Sequence, residues 1–216
     1  MHLLVTGVNR GLGAALAQAG LARGWRVSGT LRQGTAPAGV TAHPLEMTDF
    51  AGLSALADRL GPLDCLIANA GVIGPARQDP LEMDFDGFLD TLRVNTLAPL
   101  ALVQALLPNL RAGGAGRVLA ISSGMAWMGY RKADRLAYRA SKAALNKVMQ
   151  GLATALEPER IPVAVIDPGW LRTDMGGPDA DLPPEPVARD ILDTAAHLDM
   201  ARTGQFLTAR GTPRPF

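Results

Sequence analysis

Tyr138, Ser141 and Lys142 fall within one short run, AYRASKAALNKVMQGL, whose composition predicts a helix over Leu136–Leu156. Residues four apart share a helical face, so the Lys142 ammonium can stand close to the Tyr138 phenol. A neighbouring cation favours the phenolate and draws the phenol down from its reference pKa of about 10, which suits a general acid–base. Two unrelated surface side chains would show the same spacing, so the surrounding chain has to decide. With Trp 3, Tyr 2 and Phe 5, aromatic residues are 5% of the sequence, and each of the two tyrosines needs a reason.

A second group lies near the N-terminus, where Thr6, Gly7, Val8, Asn9, Arg10, Gly11, Leu12 and Gly13 follow an apolar run and precede an Ala-rich helical pattern. Glycines at a strand-to-helix junction permit a tight turn and let backbone N–H groups approach a pyrophosphate at the positive end of the helix. The GxxxGxG spacing differs from GxGxxG, and its position after the first strand is what makes it a dinucleotide signal. NAD-preferring sites place a carboxylate about 20 residues further on, at the ribose 2′-hydroxyl. Here the second strand ends Gly29, Thr30, Leu31, Arg32. Arg32, with Arg10 beside it, suits a 2′-phosphate instead, so the expected cofactor is NADP(H) in preference to NAD(H).

The elements that must position these groups alternate along the chain. Strands are predicted at His2–Thr6, Arg26–Thr30, Thr41–Pro44, Asp64–Asn69, Gly116–Ser122, Pro162–Asp167 and Gln205–Thr208. Most are near-continuous apolar runs, as strands buried on both faces are. Helices are predicted at Gly11–Arg23, Asp49–Leu60, Phe85–Leu110, Leu136–Leu156 and Pro186–Leu198. A βαβα order from end to end predicts an α/β Rossmann-type doubly wound parallel sheet of about seven strands, a single domain over 1–216. The segment GGPDADLPPEP, Gly176–Pro186, reads as a loop and a candidate flap over the substrate.

Composition removes several classes. The net charge is +1 (Lys+Arg 21 against Asp+Glu 20) and 48% of residues are hydrophobic, which argues against disorder and against a nucleic-acid partner. Cys65 stands alone and His2, His43 and His197 are far apart, so no disulfide or metal site is expected. No apolar run reaches the about 18 residues of a membrane span, and the chain opens on a strand rather than a signal peptide, so a cytoplasmic location is expected.

The chain resembles the short-chain dehydrogenase/reductase family over nearly its whole length. The motifs that carry the resemblance are TGVNRGLG at Thr6–Gly13, MTD at Met47–Asp49, NAG at Asn69–Gly71, Asn95 in VNT, ISS at Ile121–Ser123, YRASK at Tyr138–Lys142 and DPGWLRTDM at Asp167–Met175. Within the family it is most similar to the branch of C-factor and sniffer-type carbonyl reductases, in the DPGWLRTDMGG stretch and the ending TGQFLTARGTPRPF, which supplies the seventh strand and implies a complete fold.

The resemblance implies that Gly7, Gly11 and Gly13 hold the pyrophosphate, with Asn9, Arg10 and Leu12 of the same turn also binding the cofactor. Asp49 would meet adenine, and Asn69, Ala70 and Gly71 would back the cofactor, with Pro168, Gly169 and Thr173 also binding it. Ser123 would orient a carbonyl oxygen, Tyr138 would deliver its proton, and Lys142 would bind the nicotinamide ribose. Ser123 is preferred to Ser122 because it lies six residues before Gly129. Tyr138 follows Ser123 by 15 positions, slightly further than usual, which a small insertion at Tyr130–Arg135 explains. Asn95 joins the set because Pro99, four residues on, has no N–H for its carbonyl, leaving that oxygen for a water linked to Lys142.

The implied function is hydride transfer between the nicotinamide and a carbonyl or alcohol, with a non-catalytic NADP-binding regulator as the alternative. Met125, Trp127, Met128, Tyr130 and Trp170 predict an apolar or aromatic substrate if they line the pocket rather than the core. Arg131, Lys132 and Arg135 read as a solvated face, with attraction of an acidic substrate as the other reading. The two long helices imply a possible homodimer.

Overall fold

A computed structural model describes residues 1–216. The elements in chain order are β1 (His2–Thr6), α1 (Gly11–Ala22), β2 (Arg26–Leu31), β3 (Thr41–Pro44), α2 (Phe50–Leu60), β4 (Cys65–Ala68), β5 (Gln78–Asp79), β6 (Glu82–Met83), α3 (Phe85–Leu92), α4 (Ala98–Ala112), β7 (Arg117–Ile121), α5 (Leu136–Leu156), β8 (Val163–Asp167), α6 (Pro184–Ala196), β9 (Phe206–Thr208) and β10 (Pro213–Arg214). The main sheet runs β10-β9-β8-β7-β4-β1-β2-β3 and is parallel except for β10. The seven predicted strands are present. β10 adds an eighth, and β5 and β6 form a separate antiparallel hairpin that no sequence pattern announced.

The apolar runs are continuous because successive side chains of each strand enter two different cores. Leu4, Leu66, Val118, Val163 and Val165 pack with Leu53 and Leu56 of α2, Leu102 and Leu106 of α4, and Leu145 and Met149 of α5. Leu3, Val5, Cys65, Ile67, Leu119 and Ile166 face the other way, onto Leu12 and Leu16 of α1 and Ile191 and Leu192 of α6. Each such fully buried Leu, Ile or Val contributes about 1.5–3 kcal/mol. Cys65 is among them, and burial pushes its thiol up to about 12, so it behaves as a small apolar residue.

Chain order reverses beside β1, which has β2 on one side and β4 on the other. Val5 is registered with Gly29 of β2 and with Ile67 of β4. The crevice at the carboxyl ends of β1 and β4 is therefore the place where a ligand fits in such a sheet.

Most element ends shift by a residue or two from the sequence reading, and two differences have a physical cause. The single helix predicted over Phe85–Leu110 is divided by a wide π turn at Arg93–Leu97, where the Ala98 N–H bonds the Arg93 carbonyl, five residues back. Pro99 cannot donate to the fourth residue back, so the ladder is already broken there and the wider turn costs less. The predicted Gly176–Pro186 loop ends earlier, because α6 starts at Pro184, where proline needs no N–H partner in the first turn. That loop folds back on the chain: the Arg172 N–H donates to the Leu182 carbonyl at 2.8 Å and the Leu182 N–H to the Trp170 carbonyl at 3.1 Å. No helix is long and apolar enough to cross a membrane.

Candidate active site

A cleft of about 1060 Å³ opens at the carboxyl ends of the strands, from the turn after β1 to the start of α5. At one end stands the glycine turn. Gly7 has φ +74°, and a Cβ on Gly13 would lie 2.0 Å from the Gly7 carbonyl oxygen, so α1 starts closer to the turn than any side chain allows. Thr6 supports this floor from inside: its hydroxyl accepts the Asn69 and Ala70 N–H groups, both at 2.9 Å, while Asn69 Nδ2 donates to the Thr6 carbonyl at 2.8 Å. These bonds join the ends of β1 and β4 across the switch point. Asn9, Leu12, Gly71, Pro168, Gly169 and Thr173 also line the cleft.

The charged groups at this end are less simple than the sequence suggested. Arg32 and Arg10 both line the cleft, but Arg32 faces Glu46 at 3.5 Å and Arg10 pairs with Asp174 at 2.8 Å. Asp49, expected at adenine, lies outside the lining. Its carboxylate accepts the Gly52 N–H at 3.0 Å and caps α2, a use that Asp just before a helix commonly serves. Leu45, Glu46 and Met47 line the cleft in its place.

At the opposite end, β7 and α5 converge. Tyr138 and Lys142 lie in the first turns of α5, both almost wholly buried, with Lys142 Nζ 5.8 Å from the centre of the Tyr138 ring. Lys142 donates to the Ile121 carbonyl at 2.8 Å, and burial lowers its pKa to about 8. The sequence reading has Lys142 lowering the Tyr138 pKa. In the structure burial raises it, and the opposing influences are a hydrogen bond with Ser123 and the charge of Arg135. The ammonium is engaged by a carbonyl, and the phenol sits in an almost wholly buried side chain of the cleft wall.

The two serines after β7 are separated by their partners. Ser122 donates to Asn146 Oδ1 at 2.6 Å, a buried contact with α5, whereas Ser123 Oγ stays beside the Tyr138 phenol and accepts the Met125 N–H at 3.1 Å. Ser123→Ala is expected to lower kcat about 100-fold or more, as loss of one donor to a developing oxyanion does. Ser122→Ala should keep most of kcat and instead cost about 1–3 kcal/mol of stability, because it strands the buried Asn146 amide. Steady-state kinetics and thermal melts of both variants check the assignment, and the reverse pattern would transfer the role to Ser122.

Asn95 lies in the π turn, fully buried. Its side chain accepts the Val72 N–H at 2.9 Å and donates to the Val72 carbonyl at 2.8 Å and to Ser141 Oγ at 2.9 Å, while Ser141 donates to the Tyr138 carbonyl at 2.8 Å. Asn95 thus ties the Asn69–Gly71 turn to the helix that bears Tyr138. Asn95 Oδ1 and Lys142 Nζ meet at Gly71, 3.1 and 3.5 Å from the point where a Cβ would stand.

Asp167 has a comparable role that sequence reasoning missed. Its carboxylate accepts the Gly124 N–H at 2.9 Å and the Gly169 N–H at 3.0 Å and is paired with Arg214 of β10. One buried carboxylate thereby fixes the Ser123–Gly124 turn, the Pro168–Gly169 turn and the last strand. The DPG motif offered a faint signal for Asp167, and nothing local marked Arg214. Met125, Trp127, Tyr130 and Trp170 line the cleft, whereas Met128 points to solvent. Of the proposed flap, Gly176 alone reaches the lining, where its carbonyl accepts the Trp170 indole N–H at 2.8 Å.

A glycine-floored crevice at a Rossmann switch point, facing a half-buried Ser and a buried Tyr and Lys, defines the class of dinucleotide-dependent oxidoreductases. The short chain dehydrogenase family model matches residues 1–181, and the chain belongs to that family. It is 39% identical over 159 residues to the C-signal of Myxococcus xanthus, covering 72% of this chain and 94% of that protein. Among solved structures, the carbonyl reductase Sniffer of D. melanogaster superposes with a TM-score of 0.92 at 27% identity, over 100% of this chain and 99% of that one. A short-chain dehydrogenase/reductase from Burkholderia multivorans with bound NADP gives a TM-score of 0.88 at 31% identity, over the same shares of the two chains.

Proposed function

We propose that the chain is an NADPH-dependent carbonyl reductase, with oxidation of the corresponding alcohol as the reverse reaction. The observation that carries this reading is the convergence of Ser123, Tyr138 and Lys142 on one wall of a cleft whose far end is the glycine turn. The Gly7–Gly13 turn and the start of α1 offer backbone N–H groups to a pyrophosphate, and the close approach at Gly13 leaves that approach unobstructed. The bound nicotinamide cofactor supplies the hydride. Ser123 donates to the carbonyl oxygen and orients it. Tyr138, kept protonated by burial, gives its proton to that oxygen as charge develops there.

Lys142 holds the nicotinamide ribose hydroxyls and returns a proton toward Tyr138. The Asn95 carbonyl, to which Pro99 offers no N–H, is suited to hold a water on the same route. Met125, Trp127, Tyr130 and Trp170 support an apolar or aromatic substrate body. Exposed Phe85 and Leu89 on α3, with Leu97 after it, support pairing of two copies through that region.

The preference for NADPH rests on Arg32 and Arg10. Arg32→Ala is expected to reduce the ratio of kcat/KM for NADPH over NADH about 10-fold or more, the size of a charge-assisted bond to a phosphate. A wild-type NADH efficiency at or above that for NADPH would overturn the preference. The overall reading is tested by NADPH consumption with a panel of ketones, aldehydes and quinones, comparing the native chain with Tyr138→Phe. The similarity to C-signal favours a second reading, a signalling protein that binds the cofactor without turnover. Tight NADPH binding with no panel member reduced would select it.

A further inference from the structure

Five arginines line the cleft: Arg10, Arg32, Arg135, Arg139 and Arg214. Four are spoken for, by Asp174, Glu46, Asp134 and Asp167. The Arg135 guanidinium alone has neither a carboxylate nor a hydrogen-bond acceptor within the protein. It stands at the substrate end, three residues before Tyr138, and its charge acts on the Tyr138 phenol.

The backbone that presents it is unusual. Arg135 is the residue preceding α5 and has φ 51° and ψ 43°, the left-handed region that costs an L side chain about 1 kcal/mol or more. The conformation is held by its neighbours. The Arg139 N–H donates to the Arg135 carbonyl at 2.9 Å, Arg139 Nε donates to the Asp134 carbonyl and its Nη2 to the Asp134 carboxylate, both at 2.8 Å, and the Arg139 guanidinium lies 4.9 Å from the centre of the Tyr130 ring. Arg139 Nη1 is buried and has no partner. Arg135 is exposed to the cleft, and its strained backbone, braced by the buried Arg139, fixes where this free cation stands relative to Tyr138.

Resting on the reductase reading, we infer that Arg135 receives a carboxylate of the substrate, so that the preferred substrate is an aromatic or apolar aldehyde or ketone that carries a carboxylate beyond its ring. The guanidinium fork matches the two oxygens of a carboxylate, and the apolar side chains Met125, Trp127, Tyr130 and Trp170 line the same cleft as Arg135.

The test compares 4-carboxybenzaldehyde with its methyl ester, which differ in charge and little in shape, using NADPH with the native chain, Arg135→Gln, Arg135→Lys and Arg135→Gly. The expected result is that the acid-to-ester ratio of kcat/KM falls about 10-fold or more in Arg135→Gln and Arg135→Gly and is partly restored in Arg135→Lys. Glycine adopts φ 51° without strain, so Arg135→Gly should melt no lower than the native chain while losing the selectivity. A ratio unchanged across all four proteins overturns the inference. If the native chain turns over neither compound, the reductase reading fails for this class. Calorimetric binding of the acid and the ester to the NADP⁺-loaded protein then decides on Arg135: a preference for the acid that Arg135→Gln abolishes supports the carboxylate site, and equal binding overturns it.

Discussion

Tyr138→Phe is expected to lower kcat for carbonyl reduction by about 10²–10⁴-fold, the range supplied by a positioned general acid, while leaving NADPH affinity within a few-fold of native. The substitution removes one oxygen from a side chain that is otherwise packed and almost fully buried. The ring, its contacts and the backbone of α5 stay, so thermal stability should change little. The lost group is the one that faces both Ser123 and the open cleft. Because burial raises the phenol pKa, the native side chain carries its proton at neutral pH, and the reduction rate should fall only as the pH climbs toward its ionisation. Stopped-flow and steady-state NADPH oxidation, with cofactor binding followed by fluorescence, separate these effects. A Phe variant of native activity would place the proton donor elsewhere.

Gly13→Ala should disable the other end of the cleft. The new methyl would stand 2.0 Å from the Gly7 carbonyl oxygen and 2.7 Å from Asn69 Nδ2, the amide that locks the end of β4 to β1. The obstacle is backbone rather than a flexible side-chain tip, so α1 must move off the turn. Overpacking of this kind costs about 1–3 kcal/mol, and a backbone clash belongs at the upper end. For a chain of this size about 3 kcal/mol corresponds to a Tm roughly 6–12 °C lower.

The same shift misaligns the N–H groups that face the pyrophosphate, so NADPH should bind at least about 10-fold more weakly. Gly151→Ala provides the contrast. Gly151 lies inside α5 with nothing within 4 Å of a new Cβ, and alanine there should stabilise the helix by about 0.5–1 kcal/mol. Thermal melts and equilibrium binding of the two variants check both signs. Equal affinity of Gly13→Ala and native protein for NADPH would remove the glycine turn from the cofactor site.

Features written within a few residues were legible before folding. The strand–glycine turn–helix at Thr6–Gly13, the helical spacing of Tyr138 and Lys142 and the apolar parallel strands each follow from local sterics or from one period of side-chain direction. Two local readings met a competing rule. Asp49 stands where a motif points to adenine and also where a helix needs a cap, and in the structure its carboxylate accepts the Gly52 N–H. Pro99 correctly marked the weak point of the helix after Phe85, yet the chain answered with a wide turn whose extent no periodicity shows.

The sequence by itself determined the seven parallel strands, the glycine turn between β1 and α1 and the helix that bears Tyr138 and Lys142, because each of these is written in side-chain patterns of residues close along the chain. The tertiary structure alone decided which serine faces Tyr138, that Asp167 and Arg214, far apart in sequence, clamp the loop behind Ser123, and that Arg135 is the one arginine of the cleft left without an anion. Those outcomes depend on which side chains from distant segments compete for the same partner. That competition is settled by distance and burial, and neither exists until the sheet has brought the segments together.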